Sequence, residues 1–189
     1  MKRFTRIEPT VHQDFGVNFK IPAVIKKFRS DDGLEHEFTV TYADGAAGGC
    51  VIALTPDNKV VTAHQFRGGP ERYMYELPGG AFHPGEDPEH GARRELREET
   101  GYAVGSIELL GTSTRSAYTN ERWYNYIAYN CVPTESGPQR DATEVEQGLE
   151  VRLITIDELF EYARTDQMTD PAAVLYAYER LKEIQDAQA

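Results

Sequence analysis

Three glutamates, Glu95, Glu98 and Glu99, are the residues of this chain whose type and spacing best suit chemistry. At i, i+3 and i+4 they share one face of a helix, where like charges destabilise unless something positive sits among them. A hard divalent cation with oxygen ligands would do that. The competing reading is a solvated face. Six of the seven side chains from Arg93 to Glu99 are charged, and Arg94 and Glu98 make an ordinary i, i+4 ion pair. The preceding Leu77-Pro78-Gly79-Gly80 favours the chemical reading, because paired glycines let backbone approach a ligand closely.

The elements that position these acids follow from local signals. Asp87-Pro88 reads as a helix start, a capping acid followed by a proline suited to the first turn, and Gly101 reads as the stop. Phe19 to Phe28 and Glu35 to Tyr42 read as strands joined by the turn Ser30-Asp31-Asp32-Gly33. Gly45-Ala46-Ala47-Gly48-Gly49 then marks a boundary, giving an N-terminal β region over residues 1–45 and a main domain over 46–189. Within the latter, Cys50 to Leu54, Val60 to Ala63, Tyr73 to Leu77, Ile107 to Leu110, Trp123 to Tyr129 and Val151 to Ile156 read as strands.

Ser136 to Gly148 reads as a polar loop. Asp157 is expected to cap a helix through Arg164, and Asp170-Pro171 to open a last helix by the same logic as Asp87-Pro88. Val174, Tyr178, Leu181 and Gln185 recur at helical spacing and predict its packing stripe. Strands mixed with a few helices indicate an α+β or α/β layered domain.

Composition narrows the function classes. With Lys plus Arg 20 against Asp plus Glu 31, the net charge of −11 disfavours nucleic acid as a sequence-independent partner. An anionic substrate would need local arginines and metal ions to offset that field. Cys50 and Cys131 form no CxxC or zinc spacing and read as buried free thiols, which fits a reducing cytoplasm. The opening MKRFTRIEPT lacks the apolar core of a signal peptide, and no run approaches membrane-spanning length. His64, His83 and His90 have no partner spacing for zinc or for a nucleophile dyad.

Gly80, five residues, Glu86, seven residues, then Arg94-Glu95-Leu96-Arg97-Glu98-Glu99-Thr100-Gly101-Tyr102 resembles the full signature of the Nudix hydrolases. Tyr102 stands where that family more often has an aliphatic residue. The resemblance implies an α/β/α sandwich and Mg²⁺-dependent hydrolysis, with Mn²⁺ a possible substitute, of a nucleoside diphosphate linked to another group. It implies Glu95 and Glu99 as metal ligands and Glu98 as a ligand or water-orienting group, with the Gly79 carbonyl an additional ligand. Arg94 and Glu86 would hold the carboxylates in place.

Gln65-Phe66-Arg67, then Tyr75-Glu76-Leu77-Pro78-Gly79-Gly80, the N-terminal hairpin and the ending VRLITIDEL resemble the ADP-ribose pyrophosphatase branch. In that branch the N-terminal strands help build a homodimer and substrate is bound partly across it. Arg67 would contact the diphosphate, and Glu76 would assist substrate or metal binding. The branch often has Ser-Pro-Gly where this chain reads Ser116-Ala117-Tyr118-Thr119-Asn120-Glu121. Tyr118 could stack on a base instead, and Glu121 is a candidate substrate or metal contact. In the later loop, Glu144 or Glu146 stands where relatives place a catalytic glutamate, Glu146 being slightly preferred. Alternatives are a Nudix hydrolase of dinucleoside polyphosphates or nucleoside triphosphates, and a non-catalytic nucleotide-sugar sensor on the same fold.

Overall fold

The computed structural model describes residues 4–6, 11–13, 23–41, 47–140, 142, 145 and 148–187. The chain forms two compact units, one of residues 1–46 with 114–122, the other of 47–113 with 123–189. The division after Ala46 falls within the glycine-rich stretch 45–49. The first unit also takes in Thr114–Arg122, a segment that no composition shift announces.

In this first unit, β1 (Phe4–Arg6), β2 (Val11–Gln13) and β4 (Glu35–Thr41) all pair antiparallel with β3 (Ala23–Ser30). The β3–β4 turn is the expected one, with Gly33 at φ 85°. The 114–122 segment joins through backbone, as Thr41 N–H donates to Tyr118 O at 2.6 Å and Asn120 N–H to Thr41 O at 3.1 Å. Lys26 Nζ adds a bond to Asn120 Oδ1 at 3.0 Å.

The second unit is built on a seven-stranded sheet among the described residues. Its central path runs β10 (Ser106–Ser113), β11 (Arg122–Tyr129), β5 (Ala47–Leu54), β6 (Val60–Arg67) and β13 (Glu150–Ile154). β7 (Arg72–Glu76) pairs with β6, and β8 (Gly79–Ala81) with β5. A separate two-stranded ladder joins β9 (Tyr102–Ala103) to β12 (Val132–Pro133).

The alternation of a strand sorts β5 between two cores. Cys50, Ile52 and Leu54 belong to one, with Leu159, Val174, Ala177 and Leu181 from α2 (Ile156–Arg164) and α3 (Pro171–Asp186). Val51 and Ala53 belong to the other, with Ala92 and Leu96 from α1 (Pro88–Thr100). Helices therefore cover both faces of the sheet, the layered α+β architecture expected. Cys50 and Cys131 are buried free thiols.

Three local expectations are corrected. The N-cap of α2 is Thr155, not Asp157: Thr155 Oγ1 accepts from Glu158 N–H while Glu158 reaches back to the Thr155 N–H, a reciprocal capping box. Asp170 stands at the N-cap position of α3 but makes no side-chain cap bond. The buried stripe of α3 is Ala173, Val174, Ala177 and Leu181, while Tyr178 is half exposed and packs on Phe160 at 5.3 Å. Small alanines, weak as hydrophobic markers, are what fit closely against the sheet. In the stretch read as a loop over 136–148, Ala142 and Val145 have helical backbone.

Removing the box by Thr155→Ala should destabilise the protein by about 1 kcal/mol, a fall in Tm of about 2–4 °C for a chain of this size. Asp157→Ala should leave Tm nearly unchanged. Thermal unfolding followed by circular dichroism compares the two, and an equal or larger loss from Asp157→Ala would contradict the assignment of the cap.

Candidate active site

Helix α1 begins and ends as its sequence dictates. Asp87 Oδ1 accepts from His90 N–H at 3.0 Å, and Gly101 adopts the left-handed conformation at φ 74° while its N–H closes on Arg97 O. Beyond it, the chain folds back on the helix end. Thr134 N–H donates to Gly101 O at 2.7 Å, Gln139 N–H to Glu98 O at 2.7 Å and Arg140 Nε to Glu99 O at 3.2 Å. The last carbonyls of the helix that carries the acids are thus occupied by the segment leading to Glu144 and Glu146. Those two glutamates lie outside the described residues.

Arg94 organises the acids. Its Nε donates to Glu86 Oε1 and its Nη2 to Glu86 Oε2, both at 3.0 Å, while Nη1 donates to Glu95 Oε1 at 2.8 Å and Glu98 Oε2 at 3.0 Å. One guanidinium therefore holds three carboxylates, and its own pKa is raised, chiefly by the bonds to Glu86. Glu86 is further bonded by His83 N–H at 2.9 Å and by His90 Nδ1 at 2.9 Å. Its carboxyl is lowered to about 2, above all by the Arg94 bonds, with burial opposing.

Glu99 is buried, and its Oε2 accepts from Gly79 N–H at 3.0 Å. Backbone is close here because the first two residues of β8, Gly79 and Gly80, have no side chains: a Cβ on Gly79 would lie 2.1 Å from Gly49 O. A Cβ on Gly80 would meet the Glu95 carboxylate at 3.0–3.2 Å. The sequence expectation was a Gly79 carbonyl turned to a ligand; the contact seen is its N–H on a carboxylate.

Arg67 and Glu76 face each other across β6 and β7 as a two-pronged pair, Nε to Oε1 and Nη2 to Oε2. Gln65 Nε2 adds a bond to Glu76 Oε2 at 3.2 Å. The Arg67 pKa is raised first by these bonds, against burial, with the charges of Glu76, Glu99 and Asp170 adding. The charge of Glu99 thus acts on Arg67, and β6, which carries Arg67, packs beside α1.

The donor set fits a hard divalent cation: Glu95, Glu98 and Glu99 offer only carboxylate oxygens, and Gly80 leaves open the space beside Glu95. Among the described residues no group of three or more acidic, histidine or thiol side chains is placed to hold a metal ion in the arrangement seen. Arg94 supplies the compensating positive charge in the arrangement seen.

Of the residues singled out by sequence, Gly79, Glu86, Arg94, Glu95, Glu98 and Glu99 come together, with Arg67 and Glu76 alongside. Tyr118 and Glu121 belong to the other unit. Tyr118 is exposed, and the Glu121 carboxyl is raised by burial, with Arg115 opposing. Sequence reading missed three residues of this region. Arg140 lies within a polar stretch that gave no signal. Gln65 was visible only as a neighbour of Arg67; it is buried, and its Oε1 has no hydrogen-bond donor among the described residues. Asp170 was assigned to a helix cap.

A sheet between helical layers, with a guanidinium-bound set of glutamates on the helix after a glycine strand, defines a hydrolase site of the Nudix kind. Residues 27–177 match the NUDIX domain family model, and the chain belongs to that family. It is 33% identical over 126 residues to a methanol dehydrogenase activator of Bacillus methanolicus, covering 66% of each chain. It is 31% identical over 142 residues to an ADP-ribose pyrophosphatase of Bacillus subtilis (strain 168), covering 73% of this chain and 74% of that one. A solved structure of an ADP compounds hydrolase superposes with a TM-score of 0.72 at 18% identity, over 96% of this chain and 95% of the other, which bears on the fold.

The lowered carboxyl of Glu86 links stability to pH. A folded-state value of about 2 lies below the ordinary 4.5, so its contribution is full above about 4.5 and is lost as pH falls towards 2. Urea unfolding of wild type and Glu86→Gln should show a stability gap that narrows across this range. A gap constant from neutral pH to pH 2 would remove Glu86 as the source.

Proposed function

We propose that the protein hydrolyses the pyrophosphate bond of a nucleoside diphosphate sugar, with ADP-ribose, cleaved to AMP and ribose 5-phosphate, as the favoured substrate. The observation that carries the reading is the Arg94-held glutamate set with the Arg67–Glu76 pair inside the field of Glu99. Acids able to hold a divalent cation thus sit beside a guanidinium fork matched to phosphate oxygens. The similarity to an ADP-ribose pyrophosphatase supports the choice of substrate.

Glu95, Glu98, Glu99 and the Gly79 carbonyl are the groups that would hold Mg²⁺, or Mn²⁺ in its place. Such a cation neutralises phosphoryl oxygens and makes a bound water more acidic. Arg94 and Glu86 keep the glutamate oxygens oriented, and Arg67 donates to the diphosphate. Glu98 orients the attacking water, and Glu144 or Glu146 accepts its proton as the water oxygen bonds to phosphorus. The bridging P–O bond breaks with its electron pair leaving on the departing phosphate. Glu76 and Glu121 assist substrate or metal binding, and Tyr118 stacks on the base. In this reading the N-terminal strands form a homodimer, and the buried thiols suit a cytoplasmic setting.

Incubation with Mg²⁺ and a panel of nucleotides, followed by product identification, tests the proposal. The expected products are AMP and ribose 5-phosphate from ADP-ribose, with activity abolished by EDTA and restored by Mg²⁺. Preferential cleavage of dinucleoside polyphosphates or triphosphates would replace the substrate, and no turnover of any compound would leave a sensor. Glu98→Gln and Glu99→Gln should each lower kcat by roughly 10²-fold or more while the fold persists. Near-normal rates in both folded variants would sink the proposed metal site.

A further inference from the structure

Two Asp-Pro dipeptides open helices in this protein, and they are used differently. Asp87 has the extended backbone of a cap, φ −62° and ψ 129°, and its carboxylate accepts from His90 N–H in the first turn of α1. Asp170 has φ −117° and ψ 45°; its carbonyl accepts from Ala173 N–H at 3.1 Å, but its side chain makes no cap bond to α3. Its Oδ2 instead accepts from Thr169 Oγ1 at 2.8 Å and from the backbone N–H of Leu77 at 3.3 Å. An aspartate at a helix start ordinarily stabilises the helix by capping it, so its diversion to a residue 93 positions away needs another account.

The path to Asp170 is itself built. Residues just before it run beside β7: Tyr75 N–H donates to Gln167 O at 2.9 Å, Thr169 N–H donates to Tyr75 O at 3.2 Å, and Met168 bridges to Tyr75 in parallel register. Met168 is buried, and Arg72 Nη2 fixes Asp166 through its carbonyl at 2.6 Å. This single backbone bridge delivers Asp170 to the residue that follows β7. Leu77 in turn lies two residues before Gly79, whose N–H binds the Glu99 carboxylate. The charge of Asp170 also reaches the Arg67 guanidinium.

We infer that Asp170 is a positioning residue of the site proposed above: its carboxylate fixes the Leu77–Gly80 segment, and with it the placement of Gly79, instead of capping its own helix. The inference rests on the pyrophosphatase reading for its kinetic consequence, while the tie itself does not.

Asp170→Ser and Asp170→Asn test it. Serine caps a helix well but is too short to hold Leu77, so α3 and Tm should be kept. The Leu77 amide should then exchange with solvent roughly tenfold faster, read by NMR hydrogen exchange, with the Ala177 and Leu181 amides unchanged. The kcat/KM for ADP-ribose should fall roughly fivefold or more. Asparagine retains an oxygen acceptor and should bring both measurements back to within about twofold of wild type. Wild-type exchange at Leu77, or a wild-type kcat/KM, in a folded Asp170→Ser protein overturns the inference, as does an Asp170→Asn protein no better than the serine variant. If wild type turns over no nucleotide sugar, the substrate reading fails, and the Leu77 exchange in the two variants decides the tie.

Discussion

The contact on which this site depends is the grip of one guanidinium on three carboxylates. Glu86, Glu95 and Glu98 all bond Arg94, which is itself only 15% exposed at its side chain. Like charges about 4 Å apart near a protein surface repel by about 4 kcal/mol, so three glutamates gathered without a cation would drive the segment apart. Arg94 converts that repulsion into a fixed arrangement. Its planar fork dictates where the oxygens lie, which a flexible lysine would not do. Each carboxylate has lone-pair sites beyond those given to Arg94, so being held and being able to bind a metal are compatible. Glu86 takes two bonds from the guanidinium and further bonds from His83 and His90, which makes it the anchor, while Glu95 and Glu98 take one each.

Packing places this arrangement against the sheet. Ala92 and Leu96 bury one face of α1 in the core beneath β5, and Glu99, three residues beyond Leu96, falls on that same buried face. A carboxylate there is costly unless hydrogen-bonded. The Gly79 N–H supplies the bond, and it can approach because Gly79 has no side chain to strike β5. The apolar register of the strand, the apolar face of the helix and the glycine pair are one constraint seen from three sides. Moving any of them would take the Gly79 N–H away from the buried Glu99 carboxylate.

Much of this was legible in the sequence because it rests on local rules. Asp87, Pro88 and Gly101 set the limits of α1, and the spacing from Gly80 to Glu99 identified the acids. What was not legible depends on contacts between distant segments. A cap can be read from an Asp-Pro pair, but whether its carboxylate turns to its own helix or to Leu77 depends on the distant bridge of Met168 to Tyr75 beside β7. Thr155 won the cap of α2 from Asp157 because Glu158 completes a reciprocal box one turn on, and two bonds outweigh one. The stripe of α3 was misplaced because alanine faces are quiet in a hydrophobicity pattern, whereas Tyr178 is prominent and half exposed. The segment 114–122 joins the N-terminal unit through backbone bonds to Thr41, and backbone pairing of that kind leaves no mark on side-chain type.

The charge balance of the site explains why a protein of net charge −11 could still take an anionic diphosphate. Glu76, Glu86, Glu95, Glu98 and Glu99 stand against Arg67 and Arg94, five formal negative charges to two positive. Arg94 is committed to three of the acids and Arg67 is paired with Glu76, so neither alone turns the local field positive. Asp170 deepens the deficit beside Arg67. A site with that balance repels a diphosphate until divalent cations are added, and it attracts cations for the same reason. Metal and substrate should therefore bind as coupled partners, each raising the affinity for the other by the same factor. Under the proposed function, the acids that oppose a phosphate substrate would make its binding conditional on the metal that the proposed cleavage needs.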